Sequence, residues 1–584
     1  MKLSLILKKY LMLLIKLVVG LFPKKFRSWF KKFPVLTSLY SRSLQKSGLF
    51  YGFPSRKKLD ALYAKNRLQQ NKLIAGYKSI QRCKLNLVVV VPKNRQNQLI
   101  VTIKSLVNIV DTDLSVFILC DERNFTECQS IVSKYASSFS EVKFQSTLSS
   151  FSIDSAFFIY SGDALHPLIS FVIFNYFELR DAILYVDTDF FEKQKHTQPR
   201  LLPDWNPALQ LSTAYVNTGV WIPEVSLFVD AGFSLDAESI AIQFAKFAIM
   251  NKKDILHIPL VLVHRIQTES INLNKYSAIL ANLLDGDANV KFDKSNDVIS
   301  IQWPTISEPL VSLIIPTKNG KELVKACIES ILNKTTYPNY EILLIDNNSD
   351  EPESLSYFAE INQHPKIRLL EYPHPFNYSS INNFAVSHAK GSIIGLVNND
   401  IEVISENWLS SMVGWVLKDD VGCVGAKLLY ADGRVQHAGV VLGYGGGAGH
   451  AHKYFPRYHP GYLNRLAATG NFSAVTAACL LVKKDDFDTV GGLDEILQVA
   501  FNDVDFCLKV LSLGKRNIYC AEAELFHHES ISRGFDDTPE KQARFSRELT
   551  YLQTTWANYI QHDPCYNPNL TLSRENFAIR EYKV

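Results

Sequence analysis

From residue 310 onward, the chain alternates between continuous apolar runs and segments whose apolar residues recur at helical spacing. The runs at 310–316 and 340–346 predict buried strands, and the spacing over 321–332 predicts a helix between them. Further helices are predicted near 351–362 and 380–389, with strands near 367–370 and 391–397. Short apolar strands separated by helices indicate an α/β fold with a mostly parallel, helix-covered sheet.

Polar residues follow these strands directly. They are Pro316 with Thr317, Asp346, and the triplet from Asn398 to Asp400. Ligands of parallel sheets bind at the carboxyl ends of the strands, so we expect these residues to face one crevice. The alternative at Asp346 and at the triplet is an ordinary turn, since Asp and Asn favour turns.

The first half of the chain repeats the pattern. LNLVVVVPKN (85–94) resembles LVSLIIPTKN (310–319), and SAFFIYSGD (155–163) stands where GSIIGLVNND (391–400) stands later. An internal repeat of this length suggests that a whole domain was duplicated. A chain of 584 residues is also too long for one hydrophobic core.

The predicted organisation is therefore two tandem domains with extensions. The boundaries are 1–34 for a basic amphipathic helix, 35–84 for a helical linker, 85–269 for the first domain, 270–308 for a linker, 309–545 for the second domain and 546–584 for a C-terminal extension.

Charge is unevenly distributed along the chain. Residues 1–59 contain 14 Lys and Arg and no acid, whereas the remainder has a net charge of −10. Lys2, Lys9 and Lys16 share one helical face among apolar residues, which is typical of a helix lying on an anionic membrane surface. Packing within the protein or an oligomer, and a signal anchor, remain alternatives. The acidic body, without a basic stripe, argues against nucleic-acid binding.

Nine cysteines are scattered without a C-x-x-C pair. This distribution favours reduced thiols in the cytoplasm over a disulfide framework or a zinc ribbon.

The motifs VSLIIPTKN, YEILLIDNNS, VNNDIEVI, GAKLLYADGRVQHAGVVLG, GGLDE, AFNDVDFCLKV and LFHHESISRG carry a resemblance to a known family. From about residue 310, the chain resembles the bacterial family 2 glycosyltransferases of the GT-A fold. It is most similar to the tandem-domain type that builds O-antigen and capsule polysaccharides, many of which are called rhamnosyltransferases. The resemblance implies two Rossmann-like GT-A domains.

The resemblance implies a nucleotide-sugar site at the strand ends. Asp346 would hold the nucleotide base, with Pro316 and Thr317 beside it. Asp400 would bind a divalent cation, Mg²⁺ or Mn²⁺, that stabilises the leaving diphosphate. Asn398 replaces the family's first Asp; its carboxamide can still hydrogen-bond a ribose hydroxyl.

The AFNDVDFCLKV and LFHHESISRG motifs supply the remaining candidates. Asp503 matches the family's catalytic base, which takes a proton from the acceptor hydroxyl. Asp505 is assigned a structural role in the first turn of a helix, and Asn502 is the predicted cap. His527 would complete the metal shell, with His528 as the alternative. Arg533 would contact the diphosphate.

In the first domain, Asp163 stands at the metal position. Ala237 stands where the base belongs, although a shift of one residue would bring Glu238 there. We therefore expect a degenerate first domain that serves assembly or acceptor binding.

These expectations combine into an inverting, metal-dependent glycosyltransferase. It would move a sugar from a nucleotide-sugar donor to a hydroxyl of a lipid-linked or polysaccharide acceptor, peripherally on the inner face of the bacterial cytoplasmic membrane. The alternative is a bifunctional enzyme with both domains active. A non-enzymatic scaffold or lectin-like module is disfavoured because Asp346, Asp400 and Asp503 are all present.

Overall fold

The structure is a computed structural model. Apart from a few isolated positions near the N-terminus, it describes residues 56–77, 83–176, 181–192, 195–229, 233–266, 271–305, 307–528 and 538–582. The predicted basic helix of residues 1–34 therefore lies outside the described residues. Among the helices in the described ranges, none has the length and hydropathy that a membrane span requires.

The N-terminal half begins with a helix and continues as a sheet domain. Its helices are α1 (Arg56–Ile74), α2 (Leu99–Leu106), α3 (Phe125–Val132), α4 (Ile169–Asn175), α5 (Pro207–Thr213), α6 (Ser226–Val229) and α7 (Ser239–Ile249). Its strands are β1 (Cys83–Val90), β2 (Thr112–Leu119), β3 (Glu141–Gln145), β4 (Ala156–Tyr160), β5 (Asp163–Leu165), β6 (Ile183–Glu192), β7 (Lys195–Arg200), β8 (Val220–Ile222) and β9 (Ile255–Arg265).

A connecting segment and the C-terminal half follow. The connecting segment holds α8 (Leu273–Leu283), β10 (Asn289–Asp293) and β11 (Val298–Gln302). The strands of the second domain are β12 (Val311–Thr317), β13 (Tyr340–Asp346), β14 (Ile367–Glu371), β15 (Ile393–Val397), β16 (Ile401–Val403), β17 (Val421–Leu429), β18 (Val435–His437), β19 (Val440–Leu442), β20 (Ala448–His450), β21 (Gly470–Phe472), β22 (Cys479–Lys483) and β23 (Arg516–His527). Its helices are α9 (Lys321–Lys334), α10 (Pro352–Ile361), α11 (Tyr378–His388), α12 (Trp408–Val416), α13 (Lys484–Thr489), α14 (Asn502–Ser512), α15 (Pro539–Thr555) and α16 (Ala557–Gln561).

The two large sheets have the same topology. The first has the strand order β3-β2-β1-β4-β8-β6-β9-β5, and the second has the order β14-β13-β12-β15-β22-β17-β23-β16. Strand directions also agree position by position, with parallel pairs from β3 to β4 and from β14 to β15, and an antiparallel strand next to each. The predicted fold class is confirmed: the chain contains two tandem α/β domains with mostly parallel sheets.

Burial explains why the strands read as continuous apolar runs. All seven residues of β13 are buried, because helices cover both faces of the sheet. The predicted helix over 321–332 is α9, and the helix predicted near 380–389 is α11. The strand ends at Thr317, Asp346 and Val397 lie within one residue of the ends that the sequence predicted.

The segment 270–308, which the sequence predicts as a linker, is folded. Helix α8 and the antiparallel β10–β11 hairpin pack with α5 and α7 in one apolar cluster that includes Leu211, Ala245 and Ile299. The hydroxyl of Tyr276 donates to the carbonyl of Gln210 at 2.9 Å. This segment therefore extends the first domain in space.

Buried polar contacts join the two domains. Asn206 and Asn471 exchange two hydrogen bonds, from Asn206 Nδ2 to the Asn471 carbonyl at 3.1 Å and from the Asn471 N–H to Asn206 Oδ1 at 2.9 Å. Near the C-terminus, Asn567 Nδ2 donates to Asp187 Oδ2 at 2.9 Å. The residues after α16 thus fasten the second domain to the first. All nine cysteines lie in the described ranges, where they are buried and form no disulfide.

Candidate functional site

The strand ends of the second domain lie side by side. Thr317 and Asp346 are direct neighbours across the β12–β13 ladder, and Asn399 Nδ2 donates to Thr317 Oγ1 at 2.9 Å. Pro316 precedes Thr317 on β12 and is partly exposed at this edge. The edge therefore brings together the residues that the sequence placed there.

Asp346 forms a local turn. Its Oδ1 accepts hydrogen bonds from the backbone N–H of Ser349 at 3.0 Å and from the Ser349 hydroxyl. This is the turn that the sequence offered as the alternative to a binding role. It uses Oδ1 alone, so the turn and a ligand contact at Oδ2 are compatible.

Asp400 and His527 meet at the next strand end. The triplet follows β15, and His527 ends β23, which pairs antiparallel with β16. Asp400 Oδ1 lies 3.1 Å from His527 Nε2. On the other side of the ring, His527 Nδ1 donates to Gln436 Oε1 at 2.7 Å, because an amide oxygen can only accept. Asn398 Nδ2 donates to His527 Nε2 at 3.2 Å.

These contacts indicate which atoms of the Asp400–His527 pair carry a proton and which offer a lone pair. A neutral ring that carries its proton on Nδ1 presents a lone pair at Nε2. Asp400 Oδ1 is buried and accepts no hydrogen bond from the described part of the chain. Two electron-rich atoms therefore face each other at 3.1 Å. Of the two, only Oδ1 lacks a donor, because Asn398 Nδ2 donates to Nε2. A divalent cation can take the place of that Asn398 hydrogen bond and bind both atoms, so the residues present fit a metal site.

His528 points elsewhere. Its backbone N–H donates to the Asp400 carbonyl at 3.0 Å, but its Nε2 lies 3.3 Å from Glu402 Oε2. The structure thus brings His527 to Asp400 and leaves His528 on the Glu402 side. Arg533 lies outside the described residues.

Asp503 lies in the first turn of α14, next to the segment that leads into β22. Its Oδ2 accepts from the Ala477 N–H at 3.2 Å, and its Oδ1 accepts from the Val504 N–H at 2.9 Å. Burial raises the pKa of Asp503, and these N–H groups with the Thr476 hydroxyl offset part of the rise. A carboxyl with a raised pKa is a stronger base than an ordinary aspartate.

Asp503 and Asp400 face a shared region. The Tyr378 hydroxyl donates to the Ala477 carbonyl at 3.2 Å, and burial followed by the charges of Asp503 and Asp400 raises the pKa of Tyr378. The backbone segments next to the two carboxylates are in direct contact, since the Ala478 carbonyl accepts from the N–H of Asn398 at 3.0 Å. Both carboxylates therefore lie near Tyr378 at the same edge of the sheet.

The start of α14 differs from the prediction. The cap is Phe501, with a left-handed φ of 61°, and Asn502 is the first helical residue, so the predicted Asn502 cap is wrong. Glu548 on α15 stabilises this irregular entry by accepting from the N–H groups of residues 498, 499 and 500 at 3.0, 3.1 and 2.9 Å. Asp505 is fully buried and accepts from Trp556 Nε1 at 2.8 Å, which agrees with its predicted structural role.

Three contributors to this site were missed from the sequence. Gln436 sets the His527 tautomer, Tyr378 lies beside both carboxylates, and Glu548 holds the loop before α14. Gln436 lies within a quoted family motif, GRVQHAGVV, but its spacing to His527 carries no signal. Glu548 lies 48–50 residues after its partners, beyond any helical or strand period.

The equivalent edge of the first domain has different contacts. Asp163 Oδ2 accepts from the Thr218 hydroxyl at 2.6 Å and from the Tyr160 N–H at 3.1 Å, and Arg265 Nε lies 3.5 Å from Asp163 Oδ1. Arg265 ends β9 as His527 ends β23. Glu238, just before α7, pairs with Lys275 Nζ at 3.2 Å.

The ligand edge of this α/β sheet thus presents an Asp–His pair able to hold a cation and a separate, partly buried carboxylate able to accept a proton. Residues 312–491 match the model of Glycosyl transferase family 2. The second domain therefore belongs to family 2 of the glycosyltransferases, and the predicted family is confirmed.

Several relatives are similar to this chain over part of its length. An O-antigen biosynthesis protein, RfbC, of Myxococcus xanthus is 31% identical over 433 residues, which are 69% of this chain and 32% of that protein. The uncharacterized protein y4gI of Sinorhizobium fredii is 51% identical over 279 residues, 47% of this chain and 31% of that protein. A β-1,3-glucosyltransferase of Escherichia coli, WfgD, which uses UDP-Glc and a diphosphoundecaprenol-linked sugar, is 28% identical over 112 residues, 19% of this chain and 43% of that protein. The chain spans about a third of the length of the first two relatives.

Proposed function

We propose that the second domain is an inverting, metal-dependent glycosyltransferase that extends a bacterial surface glycan such as O-antigen. The observation that carries the proposal is the buried Asp400–His527 pair, whose facing lone pairs suit a divalent cation. The family of the domain and the similarity to an O-antigen biosynthesis protein support the reaction class.

The strand ends would bind the donor nucleotide sugar. Asp346 Oδ2 would accept from the base, and Asn398 would hydrogen-bond the ribose. Pro316 and Thr317 would line the nucleotide pocket, and Arg533 would contact the diphosphate. Asp400 and His527 would hold Mg²⁺ or Mn²⁺, which supplies positive charge for the leaving diphosphate.

Asp503 would act as the general base. The acceptor oxygen attacks the anomeric carbon from the face opposite the diphosphate, the bond from that carbon to the diphosphate oxygen breaks, and the acceptor proton passes to Asp503. A single displacement inverts the anomeric configuration and requires no covalent enzyme intermediate. The raised pKa of Asp503 supports this role, because it increases the affinity of the carboxylate for that proton.

The acceptor would be a lipid-linked or polysaccharide hydroxyl. The diphosphoundecaprenol-linked acceptor of the Escherichia coli relative supports a lipid-linked glycan. The basic sequence of residues 1–34 supports a peripheral position on the anionic inner face of the cytoplasmic membrane. The first domain would be non-catalytic, since Arg265 lies beside Asp163 and Lys275 pairs with Glu238.

A donor screen tests the proposal. Nucleotide sugars with UDP, dTDP and GDP are assayed for hydrolysis or transfer in Mg²⁺ or Mn²⁺, comparing wild type with Asp503→Asn. We expect turnover with one donor and a loss of about 10²–10⁴-fold in the variant. Glu238→Gln, at the start of the matching helix, is the control and is expected to keep its activity. No turnover with any donor, or full activity in Asp503→Asn, would contradict the mechanism. Loss in both variants would favour two active domains.

A further inference from the structure

The first domain contains a cluster of metal-ligating side chains away from Asp163. Asp189 on β6, His196 on β7 and His264 on β9 each offer one ligand atom, and these atoms all lie within 4.8 Å of one another. Within the described part of the chain, it is the one group of three or more such residues with this geometry. Asp189 and His264 are direct cross-strand neighbours, so the sheet itself fixes their separation.

The carboxylate of Asp189 organises the cluster. Its Oδ1 lies 2.7 Å from His264 Nδ1, and its Oδ2 lies 2.8 Å from His196 Nδ1. The two rings are 4.5 Å apart between centroids, at 76° to each other. An ionised carboxylate only accepts, so each Nδ1 carries a proton in these contacts. The three ligand atoms thus lie close enough together for a cation to replace the two protons.

Three donors surround the carboxylate. It accepts hydrogen bonds from His196, His264 and Tyr63. Asp189 is fully buried and His264 nearly so, whereas the His196 side chain is partly exposed. A buried anion with two imidazoles and a route to solvent meets the requirements of a protein metal site.

Two neighbouring groups are excluded as ligands. The Tyr63 hydroxyl of α1 donates to Asp189 Oδ2 at 2.6 Å, so it acts as a hydrogen-bond donor to the carboxylate. His166 Nδ1 accepts from the Leu168 N–H at 3.2 Å, which leaves its proton on Nε2. The ligand set is therefore two imidazoles and one carboxylate.

We propose that Asp189, His196 and His264 bind Zn²⁺, or a similar first-row transition metal ion, in the first domain, with solvent at the remaining coordination position. Two nitrogen donors and one oxygen donor suit Zn²⁺ better than Mg²⁺, which prefers oxygen ligands. The ion joins β6, β7 and β9, and the Tyr63–Asp189 hydrogen bond ties α1 to the same centre. This site is separate from Asp400 and His527 and does not rest on the proposed transferase activity.

Metal content tests the proposal on the full-length protein without an affinity tag. The chain is loaded with Zn²⁺, passed through a desalting column and analysed by mass spectrometry for bound metal. All proteins carry Asp400→Asn, so that the second domain contributes no carboxylate ligand. We expect about one retained Zn²⁺ per chain and its loss in His196→Gln/His264→Gln. Tyr63→Phe, which keeps all three ligands, is the matched control and is expected to retain the metal.

A second measurement uses the protein with an intact cluster, so its result does not depend on whether the double variant folds. Co²⁺ bound to two imidazoles and a carboxylate gives visible absorption bands, and Zn²⁺ is expected to abolish them in the otherwise unaltered Asp400→Asn protein. Zn²⁺ should also raise Tm of that protein. Absence of retained metal and of Co²⁺ bands, or metal retention undiminished in the double variant, would overturn the proposal and leave the cluster as a hydrogen-bonded contact between strands.

Discussion

The two sheet edges of this chain have the same strand order but different chemistry. At the second edge, Asp400 Oδ1 lies 3.1 Å from His527 Nε2 and accepts no hydrogen bond from the described residues. At the first edge, Asp163 accepts two hydrogen bonds and lies beside the cation of Arg265. A guanidinium thus supplies positive charge where the second domain has room for a metal. The two domains share a scaffold, and a few side chains at the strand ends distinguish the candidate active site from the matching edge of the first domain.

The largest effect is expected at the metal ligands of the second domain. His527→Gln removes a neutral nitrogen donor and should weaken Mn²⁺ binding by about 100-fold, measured by titration calorimetry. His528→Gln is the matched control, since His528 contacts Glu402, and should change Mn²⁺ affinity by less than about twofold. Equal losses in both variants would contradict the assignment of His527, and not His528, as the metal ligand.

The next effect concerns the stability of the first domain. Burial alone would lower the pKa of His257, but Asp187 and Asp204 raise it to about 9 from an ordinary 6.5. The imidazolium therefore stabilises the fold fully below pH 6.5, and this contribution is lost as pH rises through about 9. The free energy of unfolding should fall by on the order of 2 kcal/mol between pH 7 and 10.

His257→Gln provides the comparison for that pH dependence. The variant should be less stable than wild type at pH 7 and should lack most of the decrease between pH 7 and 10, measured by urea denaturation. Asp187 also accepts from Asn567 near the C-terminus, so the same network joins the domains. An unchanged pH dependence in the variant would assign the decrease to other groups.

A smaller effect is expected at the loop before α14. Glu548→Gln keeps one acceptor oxygen but loses the other, so one of the three N–H groups of residues 498–500 loses its partner. The free energy of unfolding should decrease by about 1–2 kcal/mol, and transfer activity should decrease as well, because this loop positions Asp503. Glu238→Gln, at the matching helix of the first domain, should affect stability alone. Loss of activity in Glu238→Gln would make the first domain part of the catalytic machinery.

The smallest effect is a displacement of the pH profile. Since burial raises the pKa of Asp503, the acidic limb of kcat/KM should lie above the pH at which an ordinary aspartate titrates. Activity then falls as pH decreases through the raised pKa, because the protonated carboxyl accepts no proton. Rates measured from pH 4 to 8 check this, and a limb at the ordinary aspartate value would assign the base to another group.

Much of the fold could be predicted because strand periodicity is local. The apolar runs ending at Thr317, Asp346 and Val397 were recognised, and parallel packing then placed these ends together. The packing of 270–308 was missed, since its polar composition hid the apolar face of α8. The Phe501 cap was missed because a positive φ at an aromatic residue depends on tertiary support, here from Glu548.

The site was predictable only in part. Asp400 and Asp503 followed from motifs, but the choice between His527 and His528 depended on which ring faces Asp400. The cluster of Asp189, His196 and His264 spans 75 residues on three strands, and sheet register alone brings it together. Long-range register of this kind leaves no pattern in a single sequence.

Paired carboxylate substitutions test the central claim most directly. Asp400→Asn and Asp163→Asn are compared for Mn²⁺-dependent turnover of the donor identified in the screen, with Tm recorded for each. We predict that Asp400→Asn loses about 100-fold or more of its activity, whereas Asp163→Asn keeps roughly the wild-type rate. Loss of activity in folded Asp163→Asn, with Asp400→Asn unaffected, would contradict the assignment of the second domain as the catalytic one.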